Sequence, residues 1–291
     1  MVATSMLRRR GRDVAAVLVV GLFMLPMYWW LLASIKPVSA QFDLGGNVFF
    51  DFVPTFDNYA ATLFGFNPYE AAGFDMGENY FDSRLPLLSS TVVALCATAV
   101  SLILSTPAAY ALSRMTFRGR ERFVGLILLQ RLMPPIAIIV PTVYLMRDVK
   151  LYNTHAGIIL VHSLMNLPVA VLLLKSFFDE VPREIDDAAT IDGATRLQIF
   201  RRIVLPMVRS GIAATAVLCF IFSWTEFLFS LFLTTSIRTL PVKITTFGSS
   251  LGDAVGIIAA LGTSAMLPAF IFILLVQKQL VRGLSLGAMK D

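Results

Sequence analysis

Long apolar runs alternate with short polar breaks along most of the chain. A helix needs about 20 predominantly apolar residues to cross a bilayer core. Six stretches meet that length: Val14–Ile35, Pro86–Leu112, Phe123–Met146, Ala156–Phe178, Gly211–Leu233 and Gly256–Val276. The strands of a membrane barrel are only about 9–11 residues long and alternate in polarity. The pattern therefore predicts an all-α membrane protein with about six transmembrane helices. Two longer polar segments interrupt it, one over 36–85 and one over 179–206. The predicted organisation is a tail at 1–13, a first span at 14–35, an outer loop at 36–85, a core of five spans at 86–281 that includes the 179–206 loop, and a tail at 282–291.

Prolines fall inside the runs at Pro26, Pro107, Pro134, Pro135, Pro141, Pro168 and Pro268. Each removes a backbone hydrogen bond and bends its helix. Membrane helices tolerate this when neighbours satisfy the freed carbonyls. The Met133-Pro134-Pro135 sequence imposes an irregularity near the middle of the third run. The first run follows Arg8, Arg9, Arg10 and Arg12 and precedes Val38-Ser39-Ala40, which resembles a signal cleavage site. Its 22 residues exceed the roughly 7–15 of a signal core, so it reads as an uncleaved anchor.

Composition agrees with the pattern. Of 291 residues, 57% are hydrophobic and 15% are charged, where soluble chains carry roughly 25% charged residues. Mean hydropathy is +0.75. The net charge of +5 comes from basic residues clustered between apolar runs, which is an orientation signal rather than a nucleic-acid footprint. With the N-terminus inside, seventeen Lys and Arg lie on the inner segments and six on the outer ones. Both termini are therefore expected in the cytoplasm. Cys96 and Cys219 each sit in an apolar run and read as small buried hydrophobes.

The loop from Asp179 to Pro206 carries local signals of its own. Pro182 suits a first helical position, and Glu184, Asp186 and Asp187 favour a helix N-terminus. Ile185, Ala188, Ala189 and Asp192 fall at i, i+3, i+4 and i+7 and are expected on one face. Gly193 can end the helix in a left-handed conformation. Thr195 with Gln198 is a capping-box pattern that starts a second helix, and Pro206 is expected to end it. The outcome is a cytoplasmic helix–turn–helix, which either tethers two spans or offers a knob to a soluble partner.

At this loop the chain resembles a known family. Asp187-Ala188-Ala189, then three residues, Gly193, nine residues and Ile203-x-Leu205-Pro206 matches the spacing of the EAA loop of ABC importer permeases, with Asp187 where a glutamate is usual. Ser34-Ile35-Lys36-Pro37, the basic Arg114–Arg120 segment, Trp224-Thr225-Glu226-Phe227 and Leu280–Lys290 resemble elements of MalG-like permeases of carbohydrate importers. Thr225 replaces the usual Asn, and the 36–85 loop matches least well. The resemblance implies a type I importer permease fold in the inner membrane. It also implies a second, MalF-like permease as heterodimer partner, an ABC ATPase dimer and an extracytoplasmic solute-binding protein. Glu184, Asp187, Ala188, Ala189, Asp192, Gly193, Leu205 and Pro206 would couple the chain to the ATPase. The implied solute is a sugar, with glycerol, a polyol or glycerol phosphate as the alternative. This chain would bind no cofactor, since ATP and Mg²⁺ are used by the partner. The sequence fits that division of labour, as it contains no G-x-x-x-x-G-K-(S/T) phosphate loop and no nucleophile-elbow motif.

Charges within spans are costly and face a pathway or a partner. Arg131 and Glu226 are two such residues, about 12 and 22 Å deep at 1.5 Å per residue. With Gln130 and Asn166 they form a candidate substrate pathway, and interhelical hydrogen bonding is the structural alternative. A secondary transporter driven by an ion gradient would bind no ATPase. An intramembrane enzyme would need a paired nucleophile and base, which the spans lack.

Overall fold

The computed structural model describes residues 2–37, 40, 52–68, 70, 80–248 and 254–287. The described residues are helical, with no strand among them. Much of the 36–85 loop, the Val38-Ser39 part of the cleavage-like tripeptide and the 288–291 end of the C-terminal signature lie outside the described residues.

In chain order the helices are α1 (Val2–Ser34), α2 (Asp57–Phe64), α3 (Arg84–Arg114), α4 (Arg120–Leu132), α5 (Pro135–Asp148), α6 (His155–Asp179), α7 (Arg183–Ile191), α8 (Arg196–Met207), α9 (Arg209–Trp224), α10 (Leu228–Leu233), α11 (Leu240–Thr245) and α12 (Val255–Gly287). Four of them are long and apolar enough to cross a membrane, and up to six spans result if each of two bent pairs counts as one.

The chain divides into two compact units. The first comprises 1–84 and 244–266. The Asn58 amide closes the end of α1 there, donating to the carbonyls of Ser34 at 3.0 Å and Lys36 at 2.8 Å. The Ser34 hydroxyl meets the Tyr59 hydroxyl at 2.8 Å. These bonds satisfy carbonyls that a helix C-terminus leaves open. Along α1, Val17, Leu18, Leu22 and Phe23 are all exposed.

The second unit comprises 85–243 and 267–291. Its α3 packs through small residues, with Ser90, Ala94, Ala97, Thr98, Ser101, Ser105 and Ala109 buried. Leu88, Val92, Ile103 and Leu104 point outward. Lipid tails are as apolar as leucine, so helices in a membrane associate by close packing and polar contacts rather than by a hydrophobic drive. The Ser101 hydroxyl donates to the Ala97 carbonyl at 2.7 Å and to the Ser163 carbonyl of α6 at 3.3 Å. Gly211 brings α9 so close to α6 that an added Cβ would collide with the Phe177 ring.

Several expectations change on the structure. The third apolar run is two helices, α4 and α5, bent by 99° at Met133-Pro134. The prolines remove donors there, and Pro135 begins the new helix at a position where it needs none. The fifth run is not continuous either: α9 stops at Trp224 and α10 starts at Leu228. Pro206 does not end α8; it sits one residue before the end, after a π-helical turn over Ile199–Val204. The turn precedes a residue that lacks an N–H and whose ring crowds the carbonyl four residues back. Val208 then bends the path by 74° into α9. Cys219 is buried, but Cys96 lies on the exposed apolar face of α3.

Candidate functional site

The segment between α6 and α9 folds as the helix–turn–helix that its local chemistry predicts. Pro182 caps α7 in an extended conformation, and Glu184 and Asp186 occupy its first turn. Gly193 follows the helix with φ +83°. The Gly193 N–H donates to the Thr190 carbonyl at 3.0 Å and the Ala194 N–H to the Ala189 carbonyl at 3.0 Å. This bond pair is the Schellman closure, which requires a left-handed residue at its centre. Thr195 then opens α8 with a full capping box: its N–H donates to Gln198 Oε1 at 2.7 Å, and its hydroxyl accepts from the Gln198 N–H at 3.4 Å.

The residues expected on one face of α7 divide between two. Ala189 is buried and Ile185 half-buried, whereas Ala188 and Asp192 are exposed. Asp192 lies at the cap, past the last helical turn. The outward arc is Glu184, Asp187, Ala188 and Ile191 at i, i+3, i+4 and i+7, with Ile191 87% exposed. Such spacing places four side chains on one stripe. Of the remaining loop residues, Leu205 is half-buried and Pro206 exposed.

Beneath the loop, Ala189, Ile199, Val204 and Val208 close a core with Ala109 and Leu112 of α3 and Val171, Leu174 and Phe178 of α6. Each large apolar side chain withdrawn from water here contributes roughly 1.5–3 kcal/mol. The polar frame is equally specific. The Arg114 guanidinium at the end of α3 donates through Nη2 to the Val181 carbonyl at 2.6 Å. Its Nε lies 3.1 Å from Asp186 Oδ2 in an ion pair. Arg183 Nη2 donates to the Ser113 carbonyl at 3.3 Å, and the Ser113 hydroxyl donates to Asp179 Oδ1 at 2.6 Å. Lys175 pairs with Asp179 on α6.

The four candidate pathway residues separate. Arg131, Asn166 and Glu226 line one cleft of about 190 Å³ with Pro135, His162, Met165, Phe222, Ser223 and Phe229. Gln130 stands outside its lining and donates to the Leu164 carbonyl at 3.2 Å. Asn166 donates to the Cys219 carbonyl at 3.1 Å. The Arg131 guanidinium carbon lies 5.5 Å from the Phe222 ring centroid, a cation–π distance. Glu226 fills the gap between α9 and α10: Oε1 accepts from the Phe229 N–H at 2.7 Å, and Oε2 accepts from the Ser230 N–H at 3.1 Å and the Ser230 hydroxyl at 3.0 Å. Its other neighbour is His162, with Nε2 at 3.0 Å from Oε2 and Nδ1 at 2.8 Å from the Ser223 hydroxyl. The carboxylate thus caps α10 and ties it to α6. Sequence reasoning missed His162 as its partner, and it missed Arg114, Asp186 and Ile191. The exposed position of Ile191 was legible in the helical spacing; the His162–Glu226 pair, 64 residues apart, left no periodic trace.

Residues 101–286 match the model of the family described as "Binding-protein-dependent transport system inner membrane component". The chain belongs to this family. This binding-protein-dependent inner membrane component is 34% identical over 281 residues to the trehalose transport system permease protein SugB of Mycobacterium tuberculosis, covering 95% of this chain and 96% of that one. It is 32% identical to the sulfoquinovosyl glycerol transport system permease protein SmoH of Agrobacterium fabrum, covering 96% and 93%. It is 30% identical to the diacetylchitobiose uptake system permease protein DasC of Streptomyces coelicolor, covering 95% of each. In fold, the inner membrane component is similar to a chain of a bacterial ABC transporter that imports the acidic polysaccharide alginate. The TM-score is 0.69 at 21% identity, over 92% of this chain and 96% of that chain.

Proposed function

We propose that this chain is one permease subunit of an ATP-driven, binding-protein-dependent importer that moves a sugar or related polyhydroxylated solute into the cytoplasm. In this reading α7 and α8 lie on the cytoplasmic side, and both termini lie there too, as the excess of basic residues on those segments favours. The outward stripe Glu184, Asp187, Ala188 and Ile191 docks in a separate ATPase subunit, which binds and hydrolyses ATP with Mg²⁺. Ala189, Gly193, Leu205 and Pro206 hold the stripe in place, and Asp192 stands at its end. A second permease completes the pore, and an extracytoplasmic binding protein delivers the solute. The substrate class is supported by the trehalose, diacetylchitobiose and sulfoquinovosyl glycerol systems named for the relatives. A polyol or glycerol derivative is the second reading, favoured by the glycerol moiety in one of those names.

The observation that carries the proposal is the loop itself. An EAA-spaced segment is folded into a capped helix–turn–helix that presents a small residue and an 87%-exposed isoleucine on one stripe. Affinity purification of the chain expressed with its neighbouring genes tests it. An ABC ATPase should be retained, and retention of none would defeat the reading. Uptake measured with labelled disaccharide, polyol and glycerol phosphate in competition separates the two substrate classes.

A further inference from the structure

The ionic link between α7 and the end of α3 is not used by the docking stripe. The Arg114 side chain is only 6% exposed, against 18% for Asp186, and neither residue belongs to that stripe. Arg114 is the last residue of α3, and it holds both the entry to α7, through the Val181 carbonyl, and the first turn of α7, through Asp186. The two preceding residues of α3 are held as well. The Leu112 carbonyl accepts from Arg120 Nε at 2.7 Å and the Ser113 carbonyl accepts from Arg183 Nη2 at 3.3 Å. Carbonyls at a helix C-terminus need outside donors, and here arginines from the flanking segments supply them. A guanidinium is suited to such a post, since Nη2 donates to the carbonyl while the charge spread over the planar fork keeps Nε in ion-pair contact with the carboxylate, without a hydrogen bond of its own, an arrangement a lysine ammonium cannot reproduce in the same geometry.

We infer that Arg114 and Asp186 are positioning residues that carry motion of α7 into α3, so that displacing the docking stripe swings the transmembrane helix rather than bending the loop. The inference rests on the coupling role proposed above for α7. The apolar cluster that Ala189 shares with Ala109 and Leu112 can slide; a buried two-partner guanidinium resists sliding, because separation would leave an uncompensated charge. The link fixes the register between the two helices and makes them one lever.

The test uses the complete complex of both permeases, the ATPase and the binding protein in proteoliposomes. Nitroxide labels at the exposed positions Ala108 of α3 and Thr190 of α7 report the α3–α7 distance with and without ATP. The otherwise unsubstituted complex should keep one narrow distance in both states. Arg114→Lys should retain the ATPase at normal stoichiometry, broaden that distance and lower solute uptake per ATP hydrolysed on the order of tenfold, within the range of a lost coupling between sites. An unchanged distance with unchanged uptake per ATP would overturn the inference. Loss of the ATPase from Arg114→Lys alone would also overturn it, by showing that the link only shapes the docking face, and it would leave the docking reading intact. Absence of the ATPase from the parent complex would overturn both. Should the lysine variant fold poorly, Arg114→Met with Asp186→Leu removes both charges together and restores packing. That pair should fold and remain uncoupled, and full coupling in it would contradict the inference.

Discussion

Gly193 shows how little a single position needs in order to constrain a site. An added Cβ there would meet nothing within 4 Å, so space within the chain is not what demands glycine. The demand is the φ of +83°, which costs a β-branched residue roughly 1–3 kcal/mol and asparagine much less. Gly193→Val should insert normally and lose ATPase retention in affinity purification. Gly193→Asn separates two causes: retention survives if only the turn matters and fails if the partner approaches this residue closely. Thr195 is a second local determinant. Thr195→Ala should cost about 0.5–2 kcal/mol of cap stability, seen as faster hydrogen exchange at the amides of Arg196–Gln198. Glu226 is legible in the sequence as a charge in an apolar run, but not as the cap of α10, because its partners at Phe229 and Ser230 are revealed only when the helix breaks. Glu226→Ala should leave the Phe229 and Ser230 backbone donors without their acceptor, at about 1–3 kcal/mol for each buried group, and leave His162 Nε2 with only the Ser230 hydroxyl at 3.3 Å. A lowered unfolding temperature in detergent checks it, and Glu226→Gln, which keeps an acceptor oxygen, should fall by less.

At the scale of elements, what the sequence reveals depends on whether the cause is local. The Schellman turn at Gly193 and the capping box at Thr195 are local, and both appear where spacing places them. The break at Met133-Pro134-Pro135 is local as well, though nothing in the sequence sets its 99° angle. The arcs of α7 divide residues that a period of 3.6 groups together, because the spacing of Ile185, Ala188, Ala189 and Asp192 does not say where the helix ends or which side packs inward. The stop of α9 at Trp224 has no proline or glycine to announce it; the carboxylate of Glu226, within the gap, opens α10 through the Phe229 and Ser230 N–H groups. Replacing Pro134 and Pro135 together by alanine returns two backbone donors and should straighten the α4–α5 pair. Spin labels at the exposed residues Leu126 and Tyr144 should then move apart toward about 27 Å, the length of 18 residues of continuous helix. An unchanged distance would assign the bend to surrounding helices rather than to the prolines.

For the whole molecule, apolar run length and the membership of residues 101–286 in an inner membrane transport family agree on a multi-pass helical protein. The cytoplasmic side proposed for the α7–α8 loop rests on basic-residue placement, a rule of insertion rather than of packing. A single cysteine at Arg196 should therefore react with a membrane-impermeant thiol reagent in inverted vesicles and stay unmodified in intact cells. The outward face of α1 is apolar from Val17 to Phe23, which suits a lipid environment. Among the described residues, the stripe on α7 joins exposed Ala188 and Ile191 to a buried underside at Ala189, and this is the surface proposed to meet a protein partner. The most direct measurement of that claim places a photo-crosslinking amino acid at Ile191 in the intact complex. Irradiation should join this chain to the ATPase subunit, with a higher yield there than from a probe at the buried Ile199. Crosslinks confined to lipid, or to the binding protein, would contradict the account.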